Sequence, residues 1–221
     1  MWRMVEHLRR QTSAPDEIIF ATSATHPDRL VQLSHIDIAG RRVPVRTYNS
    51  STENLNAAEI RNFAKQFAGG DIVQFFDGDD LPHPQRTHIT KKCFELYPPC
   101  PALLHGYEHE ESILELPLVF DPIKIVTSYW CEEKDRLTPT IATSLASGPI
   151  ALRREILEQT SYRNHLRHSE DKEFLRDLWT AGYTPFVYAD PLMCYLPANN
   201  YGRPKKTGEL GHDLSKPYPH L

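Results

Sequence analysis

Three carboxylates stand within four residues in Asp77-Gly78-Asp79-Asp80, directly after the apolar run Ile72-Val73-Gln74-Phe75-Phe76. Carboxylates packed this closely repel one another unless a cation or hydrogen-bond donors hold them. Hard oxygen ligands at this density suit Mg²⁺ or Mn²⁺ bridging to a diphosphate, with a nucleotide supplying the other ligands. Gly78 leaves the backbone open to close approach. The bland alternative is a solvated acidic turn, because Asp and Gly are turn formers. A second acidic element, His168-Ser169-Glu170-Asp171, opens a late amphipathic segment. Acids there either complement a helix dipole or place a general base in a cleft. Upstream, Arg61-Asn62 offers a guanidinium that is either exposed or clamps a phosphate or base through its planar fork. Trp130 with Ser147-Gly148 suits a sugar face, and Trp130 suits the core equally well.

The elements that must position these groups are legible from periodicity. Met1, Met4, Val5 and Leu8 follow helical spacing, and the turn Thr12 to Asp16 ends that helix. Ile18 to Ala21 reads as a buried strand, and Val43-Pro44-Val45-Arg46 as a weaker one, demoted by its proline to an edge. Ile60, Phe63, Ala64 and Phe67 make one face of a helix from about 55 to 67, closed by Gly69-Gly70. Asp71 to Phe76 is the best strand. A third helix starts near Pro84 and stops before Pro98-Pro99. Residues 100–145 read as strands in a long excursion, followed by a helix from Arg153 to Gln159. Ser169 caps a helix whose Phe174, Leu175, Leu178 and Trp179 share a face and which Gly182 closes. Phe186-Val187-Tyr188 is a late strand. Strands alternating with helices predict an α/β domain with a largely parallel sheet over residues 1–197, followed by a polar tail at 198–221. The acid cluster then lies past a strand's carboxyl end, where ligands sit in such sheets.

Composition narrows the class. The chain has 221 residues, 40% hydrophobic and 24% charged, enough for a core and unlike a disordered or membrane-embedded chain. A net charge of −4 disfavours a nucleic-acid partner. No apolar run reaches bilayer length, so no integral membrane segment is expected. The charged start lacks a signal peptide's apolar stretch, and Cys93, Cys100, Cys131 and Cys194 lack CxxC spacing; reduced thiols in a cytoplasmic protein are the expectation. His105, His109, His165, His168 and His212 are possible further metal ligands, though exposed or hydrogen-bonded histidines are the commoner case.

The order of motifs resembles the family 2 glycosyltransferases. It runs from a helix with Arg61-Asn62 through Gly-Gly, the apolar strand and Asp-Gly-Asp-Asp to a Ser-Gly segment and Glu-Asp at a helix start. The resemblance covers about residues 1–195. It implies the GT-A (Rossmann-like) fold, a three-layer sandwich with a mostly parallel central sheet. It also implies a nucleotide-diphospho-sugar donor, a carbohydrate or other hydroxyl acceptor, and Mn²⁺ or Mg²⁺. Asp77 and Asp79 match the DxD motif, with Asp80 as neighbouring or alternate metal ligand. Arg61 matches a nucleotide contact, Ser147 and Gly148 join the donor side, and Asp171 with Glu170 matches the acceptor base of an inverting transfer. Two positions depart from the pattern. The family's first strand, which normally precedes the first helix, is missing here, and Phe20-Ala21-Thr22-Ser23 lacks the aspartate that reads the base in many relatives. The competing classes are a non-catalytic GT-A-like binding or scaffold domain, and a different metal enzyme such as a phosphohydrolase or nucleotidyltransferase.

Overall fold

The structure is a computed structural model that describes residues 2–26, 30, 32–51, 55–138 and 150–196. Ser147, Gly148, His212 and the expected tail at 198–221 lie outside the described residues. Helix α1 (Trp2–Arg9) buries Met4 and Val5 against a small sheet. That sheet contains β1 (Ile18–Ser23), β2 (His35–Ile38) and β3 (Arg41–Ser50) in the order β1-β3-β2. β1 is parallel to β3 and β2 antiparallel to it. The proline strand expected at an edge is therefore the centre of this sheet. The ladder to β1 begins at Val45, and towards β2 it is Val45 N that donates to Ser34 O, at 2.9 Å. Pro44 thus falls where neither neighbour requires a donor.

Helix α2 (Ala57–Lys65) opens with a reciprocal cap. Asn56 Oδ1 accepts from Glu59 N at 3.0 Å, while the Glu59 carboxylate accepts from Asn56 N at 2.9 Å. It ends before Gly69-Gly70, which instead form the turn into the next strand and donate both N–H groups to Glu17 Oε1.

The main sheet comprises β4 (Ile72–Gln74), β5 (Leu81–Pro82), β6 (Ala102–Glu108), β7 (Ile125–Thr127), β10 (Ile150–Arg153) and β11 (Phe186–Cys194). Between β7 and β10 lies a hairpin of β8 (Tyr129–Cys131) and β9 (Arg136–Thr138). The order is β4-β10-β6-β11-β5, with β7 beside β11. The expectation of a mostly parallel sheet needs correction. Only β6 and β11 pair in parallel here; the other described ladders of this sheet are antiparallel. β4, β6 and β11 do run the same way, but β10 returns from the long excursion and inserts between β4 and β6 in the opposite sense.

Alternation along the strands builds three layers. Ala102, Leu104, Ile150, Leu152 and Val187 face a core shared with α2, α4 (Arg154–Gln159) and α5 (Glu170–Thr180). Leu103, Ala151 and Tyr188 face the other side, against Ile89, Cys93 and Phe94 of α3 (Arg86–Leu96). Gly106 lets β6 cross the bulge in β11, since a Cβ there would meet Pro191 Cα and N at 3.3 Å. Among the described residues β1 pairs only with β3, and β4 only with β10. Among the described residues β1 and β4 thus belong to separate sheets, and Phe76 beyond β4 links them by packing against the core of the small sheet. Among the described residues no helix is long and apolar enough to cross a membrane.

Candidate active site

Arg61 is where three distant segments meet. Its side chain, 9% exposed, projects from α2. One guanidinium nitrogen donates to Asp77 Oδ1 at 2.8 Å; the other donates to Glu170 Oε1 at 2.9 Å and to Asp171 Oδ1 at 3.3 Å. The Tyr162 ring lies 5.4 Å from the guanidinium carbon. Burial by itself would weaken the hold of Arg61 on its proton, but Asp77, Tyr162 and Asp171 more than offset this and its pKa is raised. Burial likewise acts to raise the Glu170 pKa, and the Arg61 hydrogen bond and charge reverse that, leaving it lowered. The sequence-predicted residues Arg61, Asp77, Glu170 and Asp171 are thus one cluster.

The acid loop splits its three carboxylates. Asp79 is exposed, Asp77 is half-buried, and Asp80 turns inward with 1% exposure. Asp80 Oδ1 accepts from Leu196 N at 3.1 Å, tying the loop to the chain just past β11. Its Oδ2 is buried without a hydrogen-bond partner. Burial pushes the Asp80 pKa up to about 7, against the Leu196 N–H and with help from Asp77 and Asp79. Arg86, fully buried, donates through Nε to His105 Nε2 at 2.9 Å and through Nη2 to Phe75 O at 2.9 Å, with its guanidinium 4.6 Å from the Phe76 ring centre. Burial lowers its pKa to about 9, offset in part by Asp80 and Asp77. His105 is held well below the usual histidine range by burial and by Arg86, so its Nδ1–H donates to Gly106 O at 2.8 Å. This histidine supports the loop and is no ligand. Nothing in the sequence distinguishes Arg86 as its buried support.

The path into Glu170-Asp171 is fixed by α2, a role sequence reasoning missed. Asn62 Nδ2 donates to Tyr162 O at 2.7 Å and to Asn164 Oδ1 at 2.6 Å, and Asn62 Oδ1 accepts from Tyr162 N at 3.0 Å. Lys65 Nζ donates to Leu157 O at 3.1 Å and to Thr160 O. Tyr162 stacks on Phe174 of α5 with ring centres 4.0 Å apart. Ser169 stands at the start of α5, as expected, but makes no side-chain cap and has φ 61°, the left-handed region. Such a conformation in a non-glycine residue stores strain at the entrance to the acidic pair. Trp130 is core, packed with Leu137 and under the Arg176 guanidinium at 5.2 Å. A Cβ added to Gly78 would meet nothing within 4 Å, so the space above the loop is open. A shallow pocket lined by Pro98, Pro101, Arg153 and Tyr183 lies at the opposite end of the sheet from the acid loop.

Among the described residues no group of three His, Cys, Asp or Glu side chains surrounds a point where a metal would sit. Asp77 and Asp79 are the two carboxylates of the acid loop that are not buried beneath it.

A family model described as "Glycosyl transferase family 2" matches residues 1–161. The chain belongs to this family. A protein of Haemophilus influenzae described as an uncharacterized glycosyltransferase is 26% identical over 195 residues, covering 86% of this chain and 61% of its own length. The crystal structure of S. aureus TarS 1-349 superposes with a TM-score of 0.60 at 15% identity, covering 88% of this chain and 56% of that one. The TarS complex with UDP-GlcNAc gives 0.58 at 14% identity, over 88% and 54%. These likenesses show the GT-A fold for this family 2 chain. The chain spans roughly three fifths of the curated relative's length and about half that of the TarS fragment.

Proposed function

We propose that this family 2 chain transfers a sugar from a nucleotide-diphospho-sugar to an acceptor hydroxyl, with inversion, in the presence of Mn²⁺ or Mg²⁺. The observation that carries this reading is the Arg61 bridge. It holds the acid loop at one guanidinium edge and the Glu170-Asp171 pair at the other, so donor and acceptor functions share one anchor. The solved TarS complexes with UDP and UDP-GlcNAc support a nucleotide-sugar donor for this fold. Asp79 and Asp77 would hold the cation, which when bound neutralises charge on the departing diphosphate. Asp80 keeps the loop in place through Leu196. Arg61 fixes the direction of both carboxylate groups, and Asp171 accepts the proton of the attacking hydroxyl. Attack from the face opposite the leaving diphosphate inverts the anomeric carbon.

Calorimetry with UDP, with and without Mn²⁺, and release of UDP from UDP-GlcNAc test the reading. Metal-dependent UDP binding together with turnover abolished in Asp171→Asn is expected. Turnover that survives in both Asp79→Ala and Asp171→Asn would remove the assigned roles. Metal-dependent binding with no turnover would place the chain in the non-catalytic class.

A further inference from the structure

Three rings outside the Arg61 cluster meet where β6 and β11 end. Tyr107 and Tyr195 have ring centres 5.4 Å apart, His109 and Tyr195 5.5 Å, and Tyr107 and His109 5.6 Å. Tyr107 is buried beneath, while half-buried Tyr195 and exposed His109, whose ring stands at 83° to it, supply the outward aromatic surface of the corner. The backbone holds the corner rigidly, because Tyr195 N donates to Glu108 O at 2.7 Å. The corner adjoins the acid loop: Leu196, the next residue, is bonded to Asp80, and the charges of Asp80, Asp79 and Asp77 all bear on the Tyr195 hydroxyl. Exposed Glu108 and Glu110 flank His109.

Resting on the glycosyltransferase reading above, we propose that Tyr195 and His109, seated on the buried Tyr107, form a platform for a neutral hexopyranose ring beside the acid loop. Aromatic faces pack the apolar C–H face of a pyranose, while carboxylates at the rim accept hydrogen bonds from its hydroxyls. Rim carboxylates repel a diphosphate, so this corner suits a neutral sugar better than the phosphates of a nucleotide. The ring it receives belongs either to the donor or to the acceptor.

Calorimetry with UDP and with UDP-GlcNAc, each with Mn²⁺, and saturation-transfer NMR of methyl β-glucopyranoside, would be run on the wild-type chain, Tyr195→Ala, Tyr195→Phe and His109→Ala. The platform predicts UDP affinity unchanged within about twofold in the variants, with the sugar contribution reduced about fivefold or more in Tyr195→Ala and retained in Tyr195→Phe. Loss of the affinity difference between UDP-GlcNAc and UDP marks the donor ring; loss of the methyl glucoside signal marks the acceptor ring. Equal weakening of UDP itself would mean a base platform and overturn the proposal, as would no change in either sugar signal. If the wild-type chain binds methyl glucoside but not UDP, the glycosyltransferase reading fails while the platform stands. If it binds UDP and the platform variants leave sugar binding intact, the platform alone fails. Matching thermal unfolding of Tyr195→Phe and Tyr195→Ala separates loss of the ring from loss of the fold.

Discussion

Replacing Arg61 with methionine should destabilise the chain strongly at neutral pH and much less in acid. The guanidinium serves Asp77, Glu170 and Asp171 at 2.8, 2.9 and 3.3 Å. Methionine keeps most of the packing volume and removes the charge, leaving three carboxylates facing one another. Breaking a buried pair by removing one partner costs about 3–5 kcal/mol, while exposed pairs are worth about 0–1. With Asp77 35% exposed and Glu170 13%, the expected loss is about 2–3 kcal/mol. The pH dependence follows from Glu170. In the wild-type chain its pKa is lowered from the ordinary 4.5, so its contribution to stability is present above that value and lost as pH falls through the folded pKa. In Arg61→Met burial keeps acting while the Arg61 hydrogen bond and charge are gone, so the Glu170 pKa rises relative to wild type and its charged form becomes less favourable as pH rises. The gap between the two proteins is therefore widest near neutrality and closes as pH falls below the ordinary carboxylate pKa of 4.5 and through the lowered folded value. Urea unfolding of both at about pH 7.5 and about pH 4.5 measures it. A gap that is the same at both pH values, or below about 0.5 kcal/mol at neutrality, would refute the claim that Arg61 neutralises this cluster.

Asp79→Asn should weaken Mn²⁺-dependent UDP binding about tenfold or more, whereas Asp80→Asn, which keeps an oxygen for Leu196 N, should change it less than about threefold; calorimetry distinguishes them, and equal losses would make Asp80 a ligand. UDP and Mn²⁺ should also bind synergistically, because two carboxylates alone make an incomplete cage; Mn²⁺ titrated without UDP should give little heat. Asn62→Ala removes two hydrogen bonds to the Tyr162 backbone and one to Asn164, with an expected cost of about 1–3 kcal/mol and faster hydrogen exchange at 160–164. Ser169→Gly relieves a left-handed backbone and should stabilise by about 1 kcal/mol in thermal or urea unfolding.

Much of the layout is local information. The spacing of Met4, Val5 and Leu8, and of Phe174, Leu175 and Leu178, fixes which helix faces are buried, and α1 and α5 appear where that spacing places them. Residues Ile18 to Ala21 stand inside β1 for the same reason. The order of Arg61, the acid loop and Glu170-Asp171 was enough to indicate the family, because motif order is itself a property of sequence. Strand partners are another matter. β2 carries only four residues, β4 is shorter than its apolar run, and β10 takes its direction from neighbours far away in the chain. Pro44 argues for an edge until the register shows that its missing donor is unneeded.

The site divides in the same way. Its residue types were legible, but their partners were not, since Arg61 reaches carboxylates 109 and 110 residues away. Asp79 and Asp80 are chemically identical neighbours in sequence. Only the folded loop sends one into solvent and the other beneath it to Leu196, because consecutive side chains leave the backbone on different sides and the surrounding core decides which side is buried.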